Sequence, residues 1–156
     1  MSDNNKTNAK DRVPIGQKLA VGAGGFPIQN GGLIVQYMAQ PIFQIFLGLN
    51  PALFGLAMTI PRIWDAFTDP LMGRISDRSQ SRYGRRRPYV FIGAFLMAIS
   101  FITIWMVPEN MNDMGIFLWL TIGSVLFFTA FTIYSVPFNA LVYEQTPDYH
   151  ERTRLM

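Results

Sequence analysis

An all-α membrane protein with four transmembrane helices is the fold class this sequence predicts, and three observations predict it. Half of the 156 residues are hydrophobic and the mean hydropathy is +0.21, too apolar for an ordinary soluble domain of this length. The apolar residues gather into blocks at 15–48, 52–74, 88–107 and 115–142, each with the roughly 20 residues needed to cross a bilayer. Block 88–107, "PYVFIGAFLMAISFITIWMV", has no ionisable side chain except the Tyr89 phenol and no polar face, which argues against a soluble helical bundle.

The elements follow in order. Residues 1–14 are polar and lack the apolar core and small-residue cleavage site of a secretory signal, so they read as a retained cytoplasmic tail. Helix one, 15–48, contains Pro27 and the "GAGG" of Gly22 to Gly25. No strand precedes those glycines and no acidic residue stands about twenty positions beyond them, so they predict close helix approach and kinking rather than a dinucleotide loop. Asn50-Pro51 introduces helix two at 52–74, and a basic loop occupies 75–87. Pro88 opens helix three, 88–107, as first-turn prolines do. Pro108, Asn110 and Asn112 mark an external loop at 108–114 before helix four at 115–142, and 143–156 forms a second cytoplasmic tail.

Charge placement sets the expected orientation. Lys6, Lys10, Arg12 and Lys18 precede or open helix one; Arg74, Arg78, Arg82, Arg85, Arg86 and Arg87 lie between helices two and three; Arg152 and Arg154 follow helix four. The connections at 48–51 and 108–115 hold no Lys or Arg. Both termini and the arginine loop are therefore expected on the cytoplasmic side of the cell membrane. An arginine cluster beside helix ends reads as an orientation signal, so no nucleic-acid partner is predicted; the partner is the lipid bilayer. No cysteine and a single His150 exclude a disulfide framework, a thiolate metal site or a histidine cluster.

Polar residues inside spans carry the functional reading, because each should meet protein or a water-filled cavity. In helix one, Gln29, Gln36, Gln40 and Gln44 fall within roughly an 80° arc at helical pitch. In helix four, Thr121, Ser124, Thr132, Ser135 and Asn139 occupy a similar arc, with Phe127, Phe131 and Ile133 off it. Two such stripes predict a shared aqueous cavity; interhelical hydrogen bonding is the alternative. Helix three, with only Ser100 and Thr103, is expected to face lipid.

Helix two is the most informative. Asp65 and Asp69 stand one turn apart on one face. Each carboxylate costs roughly 2.5–3.5 kcal/mol near the bilayer centre on insertion scales. Two in low dielectric disfavour joint ionisation unless a cation or proton joins them. That predicts a site for Na⁺, Li⁺ or H⁺ and no other cofactor. Arg62, three residues before Asp65, could neutralise one carboxylate, and a purely structural Arg–Asp pair is the alternative. An aspartyl intramembrane protease also needs two carboxylates but usually draws them from different helices, so no enzyme is predicted.

"RIWDAFTDPLMG" (62–73), "SDRSQSRYGRRRPY" (76–89) and "YSVPFNALVYEQTPDYHERTRL" (134–155) together resemble the signatures of the glycoside–pentoside–hexuronide:cation symporters, the group containing melibiose permease, within the major facilitator superfamily. "SRYGRRRP" also resembles a loop of plant sucrose transporters. The four helices would then correspond to helices 1–4 of a major facilitator fold. The resemblance implies that Asp65, Asp69 and Thr132 bind the coupling cation. It implies a cytoplasmic gating loop, in which Gly73, Asp77, Arg78, Gly84, Arg85 and Arg86 fill a longer G-x-x-x-D-R-x-G-R-R pattern that also contains Arg82. Charge pairs there would hold the cytoplasmic side closed or let it open.

The family's acidic sugar-binding residues correspond here to Gln29 and Ser135, and its helix-four aromatic pair to Phe131 and Asn139. These departures point away from melibiose. They leave a small polyhydroxylated solute held by Gln29, Gln36, Phe131, Ser135 and Asn139. The resemblance also implies twelve helices in two halves. A chain of four reads as an N-terminal fragment that lacks its C-terminal partner half and does not transport alone. The expected function is cation-coupled symport of a sugar or glycoside; the alternative is a four-helix membrane scaffold or partner-binding subunit.

Overall fold

The computed structural model describes residues 14–79 and 84–144, and within them the chain forms four long helices and no strand. Helix α1 runs Ile15–Ala39 and passes directly into a π-helical segment, Gln40–Phe46. Helix α2 spans Pro51–Arg78, α3 spans Arg87–Trp105 and α4 spans Asp113–Glu144.

Local chemistry sets the boundaries. Pro41 cannot donate the next α-helical bond, and the chain continues with wider turns that close with Leu47 N–H on the Ile42 carbonyl at 3.0 Å. Gly48 takes the left-handed conformation, φ 70°, that reverses the chain. Asn50 then caps α2, its side-chain oxygen accepting from the Ala52 amide at 2.8 Å. At the same end of the bundle Asn112 accepts the Gly115 amide at 2.9 Å and starts α4.

These boundaries differ from the sequence-based ones in two places. The first apolar block is one stretch of chain but two kinds of helix, so the pitch that aligned four glutamines stops at Ala39. Gln29 and Gln36 keep their common face, while Gln40 and Gln44 belong to the π segment. The connection between α2 and α3 is also shorter than 75–87, because α2 continues through Arg78 and Arg87 already belongs to α3.

Helix α4 is the hub, packing against α3 and α2 along most of its length and against α1 more sparingly. Its seam with α3 depends on Gly93. A β-carbon there would lie 2.6 Å from the Tyr134 amide nitrogen and 2.8 Å from its α-carbon. Of the "GAGG" glycines, Gly24 alone makes the anticipated close approach, meeting the Phe138 ring, while Gly22 and Gly25 face open space. Tyr134 ties this contact down by donating its hydroxyl to the Gly24 carbonyl at 2.6 Å.

Val35, Phe43, Leu49, Phe54, Ile104, Leu120, Phe127 and Phe128 form the buried core. The polar arc of α4 does not line an open channel here. Thr121, Ser124, Thr132 and Ser135 are buried, Phe128 lies within their arc and is buried with them, and Asn139 at the end of the arc is exposed. Neighbouring helices cover the hydroxyls of the stripe, while Asn139 at its end stays open to a hollow shared with Gln29 of α1.

By length and composition α3 and α4, with mean hydropathies of 1.9 and 2.1, are long and apolar enough to cross a membrane. Four such spans were expected. Helices α1 and α2 fall short of that measure because α1 carries its amides and α2 carries Arg62, Asp65, Asp69, Arg74, Asp77 and Arg78. On α3, Phe91, Phe95 and Ile102 stand exposed, and the Ser100 and Thr103 hydroxyls donate to their own helix at 2.8 and 2.9 Å. That outer face is finished for an apolar surrounding.

Candidate functional site

The carboxylate pair sits on the α2 face turned toward α4. Thr132 of α4 donates its hydroxyl to Asp69 Oδ1 at 2.8 Å. Five residues earlier on α2, the Trp64 indole N–H donates to the Thr129 hydroxyl at 3.0 Å, and Thr129 in turn donates to the Val125 carbonyl at 2.7 Å. The two contacts lie about one turn apart on each helix, so they fix both the spacing and the rotation of α2 against α4.

Between them stands Asp65, whose Oδ1 is buried with no hydrogen-bond partner. A buried, unpartnered carboxylate oxygen is costly unless another group completes it. Four residues beyond Ala66, Pro70 lacks the amide that would bond the Ala66 carbonyl, which frees a further oxygen of this stretch.

The set Asp65, Asp69 and Thr132 thus provides two carboxylates and a hydroxyl from two helices. These are hard oxygen donors of the kind an alkali cation or a proton takes. Among the described residues no group of three or more His, Cys, Asp or Glu stands together as a metal site. Of the oxygens of Asp65, Asp69 and Thr132, Asp65 Oδ1 is the buried one left without a partner.

Arg62 does not form the anticipated pair with a carboxylate. Its guanidinium carbon lies 4.8 Å from the centroid of the Phe128 ring, beside a hollow of about 240 Å³ lined by Gln36, Met58, Thr59, Arg62 and Phe128. The stack on Phe128 takes the place of the ion pair.

The expected solute-binding residues are divided. Gln29 and Asn139 meet in a hollow of about 390 Å³ between α1 and α4, where Asn30 joins them. Gln36 belongs to the separate hollow beside Arg62. Phe131 packs near Gly31 and against Phe127 and Phe128, both with centroids at 6.3 Å. Ser135 is buried in the bundle.

The basic connection forms a clasp. Arg86, itself buried, pairs with Asp77 at the end of α2 and with Glu144 at the end of α4, the latter at 2.6 Å. Arg85 adds a hydrogen bond from Nε to the Asp77 carbonyl at 2.7 Å. The Arg86 guanidinium beside Asp77 holds that carboxyl below its ordinary value. Gly84, at φ 103°, gives the backbone the turn that brings Arg85 and Arg86 back onto α2. Gly73 lies against Val136 of α4, Arg78 is exposed at the end of α2, and Arg82 lies outside the described residues.

Trp64, Thr129 and Glu144 were not anticipated from sequence. Thr129 stands one turn before Thr132, and that spacing was the available signal. Glu144 gave none, since its partner lies 58 residues away.

An all-helical bundle with two membrane-length apolar helices and a carboxylate pair within one of its helices defines the class, an integral membrane protein. The chain belongs to the MFS/sugar transport protein family, whose model matches residues 20–156. It is 35% identical over 144 residues to an uncharacterized symporter of Synechocystis, covering 88% of this chain and 26% of that one. It is 32% identical over 147 residues to the mouse sodium-dependent lysophosphatidylcholine symporter 1, covering 92% and 28%. It is 30% identical over 146 residues to an Escherichia coli protein named for glycoside/cation symport, covering 94% and 30%. The chain therefore spans between a quarter and a third of the length of these relatives. No solved structure matches it significantly.

Proposed function

We propose that this chain supplies the cation-coupling part of a secondary active symporter, with Na⁺, Li⁺ or H⁺ taken up at Asp65, Asp69 and Thr132. The observation that carries the reading is the buried, unpartnered Asp65 oxygen one turn from a carboxylate already bridged to α4. A cation entering between α2 and α4 would neutralise the pair and tighten that seam. Solute bound on the adjoining α1 and α4 surfaces would gain affinity from the tightening, and the coupling is reciprocal. Relatives named as symporters support this, and their greater length supports a working unit that includes a further C-terminal half.

The clasp of Asp77, Arg86 and Glu144 serves as the gate in this reading. It ties the ends of α2, α3 and α4 together when formed and frees them when broken. Both termini and this clasp lie on the cytoplasmic side, as the distribution of basic residues supports.

For the solute, the amides of Gln29, Asn30 and Asn139 around one hollow favour a neutral polyhydroxylated molecule such as a glycoside. A second reading has its own observation. A hollow of about 360 Å³ between α1, α3 and α4, lined by Phe26, Ile34, Met97, Phe101, Ile102 and Phe127 among others, is almost wholly apolar and would suit the acyl chain of a lysophospholipid.

Uptake by the complete transporter tests both. A Na⁺, Li⁺ or H⁺ gradient drives accumulation of a labelled glycoside, competed by other glycosides and not by lysophosphatidylcholine, and Asp65→Asn or Asp69→Asn uncouples it. Unchanged coupling in both variants refutes the cation assignment. Competition by the lysolipid alone replaces the sugar reading with the lipid one.

A further inference from the structure

Arg62 and Asp65 stand three residues apart on α2, a spacing at which opposite charges on one helix normally meet. In a low-dielectric surrounding their attraction is larger still. Yet they do not pair. The guanidinium rests 4.8 Å from the Phe128 centroid, and Asp65 Oδ1 is left buried without a partner.

The ring that holds Arg62 is itself held. Phe128 is 4% exposed, meets Phe127 edge-on at 5.4 Å and Phe131 at 6.3 Å, and packs over Gly32 of α1. It cannot follow the guanidinium toward the carboxylates. The hollow lined by Gln36, Met58 and Thr59 gives the stacked side chain room on this side of the helix.

We infer that Phe128 is a positioning residue of the cation site: by stacking Arg62 it keeps an internal cation off Asp65, so that the carboxylate oxygen remains free for the transported one. The inference rests on the cation-site reading above and adds a competitor within the protein. With Arg62 parked, the two carboxylates keep the charge that attracts a monovalent ion. Without the ring, the guanidinium swings to Asp65 and the external ion must displace it.

The test is equilibrium binding of ²²Na⁺ to the purified full-length chain in detergent. Phe128→Leu removes the ring and Phe128→Met is a second ring-free variant, each checked for wild-type helicity by circular dichroism. Both are expected to bind Na⁺ about two- to fivefold more weakly, the value of a cation–π contact at an exposed guanidinium. Phe128→Tyr, which keeps the ring, is expected to bind as wild type. Adding Arg62→Gln to Phe128→Leu restores binding, because the competitor is gone.

Wild-type affinity in both ring-free variants overturns the inference. So does equal weakness of Phe128→Leu with and without Arg62→Gln, which would make Phe128 a packing residue only. Failure of the wild type to bind Na⁺ overturns this inference and narrows the cation reading to H⁺, whereas the first two results leave that reading unchanged.

Discussion

Gly93→Ala adds one methyl group where the α4 backbone itself presses on α3. The new β-carbon would stand 2.6 Å from the Tyr134 nitrogen, 2.8 Å from its α-carbon and 2.9 Å from the Ile133 carbonyl carbon, about 0.8 Å inside a 3.4 Å contact at the worst point. All three are backbone atoms of α4, so no side chain can rotate away and the helices must part. Overpacking a well-fitted seam costs about 1–3 kcal/mol, and backbone opponents place this case at the upper end. Alanine returns about 1 kcal/mol of helix propensity. The net expectation is a loss of about 1–2 kcal/mol. Gly55→Ala is the internal control, because nothing lies within 4 Å of its position and only the propensity gain remains. Denaturant titration in detergent micelles, followed by tryptophan fluorescence and circular dichroism, measures both. Gly93→Ala as stable as wild type, or Gly55→Ala destabilised by as much, refutes the close α3–α4 crossing.

Further predictions follow from single contacts. Thr132→Val removes the hydroxyl that bridges Asp69 and is expected to cost about 0.6–1.7 kcal/mol, the range of interhelical hydrogen bonds in membranes, with Thr132→Ser recovering most of it in the same titration. Thr129→Val strips the Trp64 indole of its acceptor, and a shift in the tryptophan emission maximum reports the loss. The clasp is pH-dependent with a definite sign. Asp77 is held below its ordinary 3.8, so its contribution is present above that value and lost as pH falls beneath it. Protection of amides near residues 77 and 86, relative to their intrinsic exchange rate at each pH, should therefore fall in acid, and Asp77→Asn should remove that pH dependence while leaving protection low throughout.

Much of this was legible in the sequence because the membrane imposes simple rules. Long apolar blocks read as helices and are helices, and two acidic residues one turn apart stand out inside one of them. Asp69 and Thr132, 63 residues apart, meet where the family resemblance implied. What escaped depends on departures from uniform pitch or on tertiary packing. Pro41 converts the end of the first helix to wider turns, and no periodicity count at 100° per residue can see that Gln40 and Gln44 leave the arc. The threonines and serines of α4 share one stripe, but burial of that helix on several sides turns the stripe inward. Arg62 was assigned to the nearest carboxylate along the helix, whereas the structure offered it an aromatic face from another one. Gly93 in an apolar run carries no sign that a neighbouring backbone presses on it.

Carbodiimide labelling with mass-spectrometric site assignment tests the cation site most directly, since the reagent attacks carboxyl groups that are protonated and shielded from water. In the purified chain at mildly acidic pH, adducts are predicted at Asp65 or Asp69, with Na⁺ or Li⁺ suppressing them and choline at equal ionic strength leaving them unchanged. Labelling indifferent to Na⁺ and Li⁺ would leave H⁺ as the coupling ion, and labelling that never reaches either residue would contradict the claim that these two carboxylates capture it.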